Sequence, residues 1–242
     1  MKRAYADLHL CIDIKREQGS HVVRKALRLG YGLVAVPLRT FSEDSVRQTK
    51  GLCEEAGVDF ASRVDLGPRT SDELLVSLRK LRRRVDVVAV LCDSKVVARQ
   101  AAKDRRVDLL NFPQPDFRRA IFDDAEAELA SSCMAALEID MKPLLMLGGP
   151  ARTRLLSNLR HEVATAKRHH VPIVISSGVS DEMHVRGPKD LAALASLFDL
   201  PSMRALNAVS DNPAAIVNRN REKLGPKFVA PGIRLVQRGE NS

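Results

Sequence analysis

The sequence predicts a single α/β domain folded as a (β/α)8 barrel, the architecture known as the TIM barrel. Segments of strand character alternate with segments of helix character eight times, as is typical of a parallel sheet. A length of 242 residues suits one large domain. The alternative is an open doubly wound sheet, but no glycine-rich dinucleotide fingerprint follows the first strand. We therefore expect one domain over residues 1–242.

The predicted strands are short runs of β-branched and other apolar residues that end at polar loops. The eighth is the shortest and carries the weakest pattern. These strands cover residues 5–10, 33–38, 58–66, 85–91, 107–112, 135–140, 172–176 and 206–209.

Helix starts and ends are marked by capping residues, for example Ser42, Ser94 and Asp123 at starts and Gly57 at an end. Ser20 is expected to cap the first helix. The predicted helices cover residues 20–30, 42–56, 70–84, 94–103, 123–134, 150–170, 188–198 and 212–224. The tail over residues 225–242 contains two prolines and is expected to be loose or to become ordered against a partner.

One stretch, residues 171–200, contains a buried strand, a polar loop and a helix that Pro188 opens. Ser176, Ser177 and Gly178 lie at the carboxyl end of that strand. In parallel α/β folds, ligands bind at such strand ends, so the loops that follow the strands are the place to look for a site.

Composition favours a polyanionic partner and argues against base stacking, a cysteine-ligated metal site and a membrane span. The formal net charge is +9, which favours nucleic acid. Seven Phe, two Tyr and no Trp leave few stacking platforms, so phosphate contacts are expected rather than base recognition. The four cysteines have no metal-ligand spacing and indicate reduced thiols in a cytoplasmic protein. No run reaches the roughly 18 apolar residues of a membrane span.

The loops that follow the strands contain mostly cations and few carboxylates. A phosphate could also be bound by the backbone N–H groups of Ser177 and Gly178, although an ordinary turn is equally compatible with that sequence. The predicted RNA contacts are Arg39, Arg69, Lys95, Lys142, Arg152, Ser177, Gly178 and Arg186.

A metal site is the competing interpretation of this end of the barrel. Asp7 and His9 lie two apart on a strand and therefore share a face. Glu138 on strand six and His184 in the strand-seven loop could add ligands, although no complete ligand set stands at matching strand ends. A third interpretation, a barrel enzyme acting on a sugar phosphate, lacks an identifiable general acid and base.

A basic run, Arg79 to Arg84, ends the third helix at the opposite end of the barrel. Cations at a helix C-terminus suit the helix dipole, which explains part of this run. Five cations in six residues exceed that need, so a second phosphate contact is the other interpretation.

Two pieces of the chain resemble a known family. One is Tyr5-Ala6-Asp7-Leu8-His9. The other combines Ile175-Ser176-Ser177-Gly178, the run Val185-Arg186-Gly187-Pro188-Lys189-Asp190-Leu191 and the helix start Ser210-Asp211-Asn212-Pro213. Together they are similar to ribonuclease P protein component 3, the archaeal relative of the thirty-kilodalton subunit of eukaryotic ribonuclease P. The resemblance spans nearly the whole chain.

The resemblance implies a barrel related to the PHP phosphoesterases and a protein subunit of the ribonucleoprotein that removes the 5′ leader from precursor tRNA. It further implies that the RNA subunit carries the chemistry and that the protein pairs with component 2. PHP enzymes begin with two histidines flanking one residue, where this chain has His9 and Cys11. Their Asp-His pair after strand two is replaced by Leu38-Arg39.

From the residues and the resemblance together we expect a non-catalytic, RNA-binding subunit of ribonuclease P. Its expected partners are the RNase P RNA, component 2 and the other protein subunits, with precursor tRNA contacted indirectly. No cofactor, metal or membrane is expected. The alternative is a metal-dependent PHP-type phosphoesterase that uses Asp7, His9, Glu138 and His184.

Overall fold

The computed structural model describes residues 4–13, 17–38, 41–113, 122–230 and 233–234. Within these ranges, seven parallel strands form one sheet in chain order, and two further strands form a small antiparallel hairpin. The strands are β1 (Tyr5–Asp7), β2 (Tyr31–Pro37), β3 (Asp59–Leu66), β4 (Val87–Leu91), β5 (Leu109–Asn111), β6 (Ala136–Asp140), β7 (Ile173–Ser176), β8 (Phe228–Ala230) and β9 (Ile233–Arg234).

Helices connect the parallel strands and cover the outside of the sheet. They are α1 (Glu17–Arg28), α2 (Glu43–Ala56), α3 (Ser71–Leu81), α4 (Lys95–Ala102), α5 (Asp124–Cys133), α6 (Lys142–Met146), α7 (Gly149–Arg168), α8 (Pro188–Leu194), α9 (Ser202–Ala208) and α10 (Asp211–Leu224). No helix in the described ranges is both long enough and apolar enough to cross a membrane.

The structure confirms the TIM-barrel class and most of the predicted elements. Ser42, Ser94 and Asp123 cap their helices as predicted, and Thr70 caps α3; each side chain accepts a hydrogen bond from a backbone N–H of the first turn. Some boundaries differ: α1 begins at Glu17 and contains Ser20, and β1 ends at Asp7, so His9 follows the strand. Helix α6 has no predicted counterpart.

The predicted eighth strand over residues 206–209 is wrong. These residues form the end of helix α9, which stops at Ala208, and Val209 is its C-cap. Ala205 and Ala208 are fully buried three positions apart, which is the spacing of a helix face. Alanine, leucine, methionine and arginine in this segment also favour helix over strand.

The barrel closes between β1 and β7 without that strand. Near its amino-terminal end, the Ala6 N–H donates to the Val209 carbonyl (3.0 Å) and the Asn212 side chain donates to the Ile173 carbonyl (2.7 Å). Near the carboxyl end, the Gly178 N–H donates to the His9 carbonyl, 2.9 Å away. Segments outside the regular strands therefore satisfy the backbone groups of both edges.

The barrel interior is apolar in its lower half, and α10 seals the amino-terminal end. Alternate residues of the strands point inward, and many are small. Ile216 and Val217 of α10 are buried in the same interior cluster, which also contains Leu8, Ala35, Ala61, Val87, Ala89, Leu109, Ala136 and Val174. Since this end is closed, a site within the part of the barrel that the structure describes would open at the carboxyl end.

Candidate functional site

The half of the barrel interior near the carboxyl end is polar, because the inward residues change from apolar to polar or charged along β3 and β6. Inward residues recur every second position, so Ala61 is followed inward by Arg63 and Asp65 on β3. On β6, Ala136 is followed by Glu138 and Asp140 in the same way. Asn111 of β5 is paired in register with Glu138, so their side chains meet.

Arg63 occupies the centre of this polar layer and is fully buried. Its Nη1 and Nη2 donate to the two carboxylate oxygens of Glu138 at 2.6 and 2.7 Å, and its Nε donates to Asp65 Oδ1 at 2.6 Å. Nη1 also donates to the Leu8 carbonyl, 2.6 Å away. A two-point arginine–carboxylate pair of this kind is strong and directional.

Glu138 has no acceptor site left for another ligand. Besides the two bonds from Arg63, its Oε1 accepts from the Ser176 hydroxyl (2.7 Å) and its Oε2 accepts from the Asn111 amide (3.0 Å). A carboxylate offers about four acceptor sites. Burial alone would raise the pKa of Glu138, but the charge of Arg63 outweighs it and lowers that pKa.

His9 bridges two carboxylates above Arg63. Its Nδ1 lies 2.8 Å from Asp140 Oδ1 and its Nε2 lies 3.2 Å from Asp65 Oδ2. Burial and the charge of Arg63 act to lower the pKa of His9, but Asp140 and Asp65 outweigh them and raise it well above its usual value. The two carboxylates therefore favour the protonated imidazole, which alone can donate from both nitrogens.

Asp65 is held ionised by the same partners. Burial would raise its pKa, but Arg63 and His9 lower it to about 2. Asp140 also accepts from the Asn111 amide at 2.9 Å. The layer thus places two cationic side chains among the carboxylates of Asp65, Glu138 and Asp140.

Asp7 has a structural position beside this layer. Its Oδ1 accepts from the N–H groups of Ser177 (3.0 Å) and His9 (3.1 Å), which ties the end of β7 to the end of β1. Burial raises the pKa of Asp7 despite those hydrogen bonds.

Only part of the predicted metal-ligand set comes together. In the described part of the chain, His9, Glu138 and Asp140 offer ligand atoms within 4.8 Å of one another. Asp7 is not in this group, and His184 lies in the β7–α8 loop, where its Nδ1 contacts Asp181 Oδ1 at 2.6 Å. Metal ligands need a free lone pair. The four acceptor sites of Glu138 are occupied, and the carboxylates beside His9 favour its protonated form, so this cluster is a poor fit for a metal ion.

The predicted RNA-contact cations have varied surroundings. Arg69 and Arg152 are exposed, whereas the Lys95 ammonium donates to Asp123 and to the buried Glu126. Lys142 contacts the Ser180 hydroxyl, and Arg186 donates to the carbonyls of Met183 and Val185. Arg39 lies outside the described residues.

The predicted backbone donors already have acceptors inside the fold. The Ser177 N–H donates to Asp7, and the Gly178 N–H donates to the His9 carbonyl. Gly178 has a positive φ of 64°, and a Cβ there would lie 3.0 Å from Asp140 Cγ. The glycine is therefore required for close packing under the polar layer, and phosphate binding at these two positions stays a prediction.

Sequence reasoning missed Arg63, Asp65 and Asn111, which complete the polar layer. The sequence does contain a signal for this layer. Arg63 and Asp65 lie on the same face of a strand as Ala61, and that face is the buried one. A charged pair on the buried face of a strand requires a partner, and Glu138 on β6 is the matching carboxylate.

Comparison with known proteins identifies the family. The family model described as RNase P subunit p30 matches residues 4–224. The chain belongs to the RNase P subunit p30 family. The resemblance noted from the sequence is thereby confirmed.

Relatives in this family align over nearly their full length. Ribonuclease P protein component 3 of Methanosarcina barkeri is 32% identical over 219 residues, which cover 90% of this chain and 89% of the relative. The protein of the same name from Methanosarcina acetivorans is 28% identical over 221 residues, covering 90% and 91% of the two chains.

Solved structures show the same fold. A chain in the cryo-EM structure of archaeal ribonuclease P with mature tRNA superimposes with a TM-score of 0.84 and 21% identity, covering 98% of this chain and 100% of that chain. A 5-methylcytosine deaminase from Klebsiella pneumoniae superimposes with a TM-score of 0.60 and 14% identity over 91% of this chain and 76% of that chain. The p30 chain therefore shares its barrel with enzymes.

The Arg63–Glu138 pair predicts strong energetic coupling. Arg63→Met and Glu138→Leu should each lower the free energy of unfolding by about 3–5 kcal/mol, because each leaves a buried partner charge uncompensated. The double variant should lose less than the sum, with a coupling energy of about 1–3 kcal/mol. Urea denaturation of the four proteins measures the cycle.

Arg99→Met, which removes a half-exposed partner of Glu126, is the control and should cost less than about 1 kcal/mol. Additive losses would contradict the assignment.

The raised pKa of His9 predicts a pH-dependent contribution to stability. Protonation stabilises the folded state, so the contribution is complete below the unfolded pKa of about 6.5 and is lost as pH rises through the higher folded value. The stability difference between wild type and His9→Gln should therefore be largest in mildly acidic buffer and shrink toward alkaline pH. Urea titrations across that range test this, and a difference that grows with pH would refute it.

Proposed function

We propose that this protein is a non-catalytic, RNA-binding subunit of ribonuclease P that supports the RNA subunit in removing the 5′ leader of precursor tRNA. Family membership supports the assembly, since the relatives are named as ribonuclease P protein components. The saturated carboxylate of Glu138 supports the absence of chemistry in this subunit, because Arg63, Ser176 and Asn111 fill the acceptor sites of this residue at the open end of the barrel.

The alternative, a metal-dependent phosphoesterase, has less support from the geometry. A metal at His9, Glu138 and Asp140 would have to displace the Arg63 guanidinium and remove the proton from His9. Both changes oppose binding, since the guanidinium is cationic at any physiological pH and is bonded to both oxygens of Glu138. No hydrolytic step is therefore assigned to these residues.

RNA contacts at the carboxyl end of the barrel are part of the proposal. Among the predicted cations that the structure describes, Arg69 and Arg152 are exposed, and Lys142 and Arg186 are partly exposed. Arg39 remains a candidate from the sequence. Lys95 is a weaker donor to phosphate, because Asp123 and Glu126 compete for its ammonium.

The proposed partners are the RNase P RNA, protein component 2 and the other protein subunits, with precursor tRNA contacted through the complex. The relatives named as component 3 and the structural match within archaeal ribonuclease P support this assembly. The proposal places the protein in the cytoplasm, together with the precursor tRNA that the complex processes.

Reconstitution tests the non-catalytic assignment. We expect ribonuclease P assembled from the host RNA, the other protein subunits and His9→Gln to cleave precursor tRNA at nearly the wild-type rate. A catalytic acid, base or metal ligand at this position would instead make the loss about 100-fold or more. His161→Gln, an exposed substitution of the same type on α7, is the control.

Two further results would contradict the proposal. One is unchanged cleavage by a complex from which the protein is omitted, which would remove it as a functional subunit. The other is hydrolysis of a phosphoester by the isolated protein in the presence of Mn²⁺, abolished by Glu138→Gln.

A further inference from the structure

Helix α10 brings a second set of cations to the amino-terminal end of the barrel. Its last two turns lie against the starts of β3, β4 and β5, where Asn220 donates to the Asp86 carbonyl and to Asp108, both at 2.8 Å. Arg219 donates to Asp108 and Arg221 donates to Asp59. The basic end of α3 reaches the same place, since Arg82 also donates to Asp108.

Three of the carboxylates at this end are paired with arginines. Asp108 is shared by Arg82 and Arg219, Asp59 is bound by Arg221, and Asp104 is bound by Arg106. Four arginines thus form ion pairs with these three carboxylates. Other cations remain exposed and have no hydrogen-bond or ion-pair partner among the residues that the structure describes. They are Arg79, Lys80, Arg83, Arg105, Lys223 and Lys227.

Arg83 and Lys223 line one hollow of about 410 Å³ between α3, α10 and β8. The remaining lining is Arg82, Leu224, Phe228 and Val229, so none of the residues that line it is acidic. Arg82 is fixed by Asp108 and by the carbonyls of Val85 and Asp86. A fixed arginine flanked by two unpaired cations is suited to an anion.

The charges around Lys223 also favour a bound anion. The pKa of Lys223 is lowered, first by partial burial and then by the nearby charge of Arg219, with Arg82 acting in the same direction and Asp108 opposing it. Glu222 is the acidic neighbour on α10, and its side chain is exposed. The cations therefore repel one another, and a bound anion would relieve that repulsion.

We propose that this hollow, defined by Arg82, Arg83 and Lys223, binds the phosphodiester backbone of RNA at the end of the barrel opposite the polar layer. The inference rests on the proposed function and adds a second RNA surface to it. An extended polyanion fits better than a small anion, because unpaired cations continue from the hollow along α3 and the α4–β5 loop. By contrast, Lys95 at the carboxyl end is already paired with carboxylates.

The test compares two double variants of the full chain for binding to the host RNase P RNA transcribed in vitro. Arg83→Gln with Lys223→Gln removes the two free cations of the hollow. Arg154→Gln with Arg204→Gln removes two exposed cations from the outer helices α7 and α9 and is the matched control. Thermal denaturation should be unchanged in both, because all four side chains are exposed.

We expect the hollow variant to bind more weakly by about 25- to 60-fold at roughly 0.1 M salt and to lower the salt slope by about 1.4 to 1.8, as for two lost phosphate contacts. The control should change much less. Wild-type affinity and slope in the hollow variant, or equal losses in both variants, would overturn the inference. So would loss of a protein subunit from the assembled complex with an unchanged RNA slope. Failure of the wild-type chain to bind RNA would count against the proposed function itself.

Discussion

The buried pair between Arg63 and Glu138 determines what the open end of this barrel can do. Removing a guanidinium and a carboxylate from water costs several kcal/mol per ion, and close geometry with additional hydrogen bonds is needed to offset that cost. Here Asp65, Asn111, Ser176 and the Leu8 carbonyl supply those bonds. The pair therefore joins β3, β5, β6 and β7 to the segment that follows β1.

The same pair changes the chemistry of the site. Carboxylates and a histidine at strand ends are the usual ligands of a metal ion in such barrels. In this chain the Arg63 guanidinium lies among the carboxylates, and the His9 ring lies between Asp65 and Asp140, which favour its protonated form. An organic cation thus balances the acidic layer. Unlike a metal ion, it supplies no coordination site for water or substrate.

The two ends of the barrel differ in how their charges are arranged. Ile216 and Val217 of α10 seal the amino-terminal end, and the polar face of α10 neutralises the acidic residues that begin β3 and β5. That arrangement leaves unpaired cations on the outside of this end. At the carboxyl end the charges of the polar layer face inward and pair with one another, whereas Arg69 and Arg152 lie exposed on the loops around it.

Local signals predicted most of the fold. Ser42 and Gly57 delimit α2 as their capping chemistry requires, and each of the seven parallel strands has a predicted counterpart. The eighth strand failed because the residues around Ala205 favour a helix, and the barrel edges are satisfied by single hydrogen bonds that no sequence period encodes. The site was only half predictable: His9, Glu138 and Asp140 stand at recognisable strand ends, but the pairing of Arg63 with Glu138 joins residues 75 positions apart.

Manganese titration of the wild-type protein tests the central claim most directly. If Arg63 takes the place of a metal ion, chelator-free protein should contain no stoichiometric transition metal and should bind no Mn²⁺ at the polar layer. Arg63→Ala should bind about one equivalent, since removing the guanidinium frees one acceptor site on each oxygen of Glu138. One tightly bound metal ion per wild-type chain, lost in Glu138→Gln, would contradict the account.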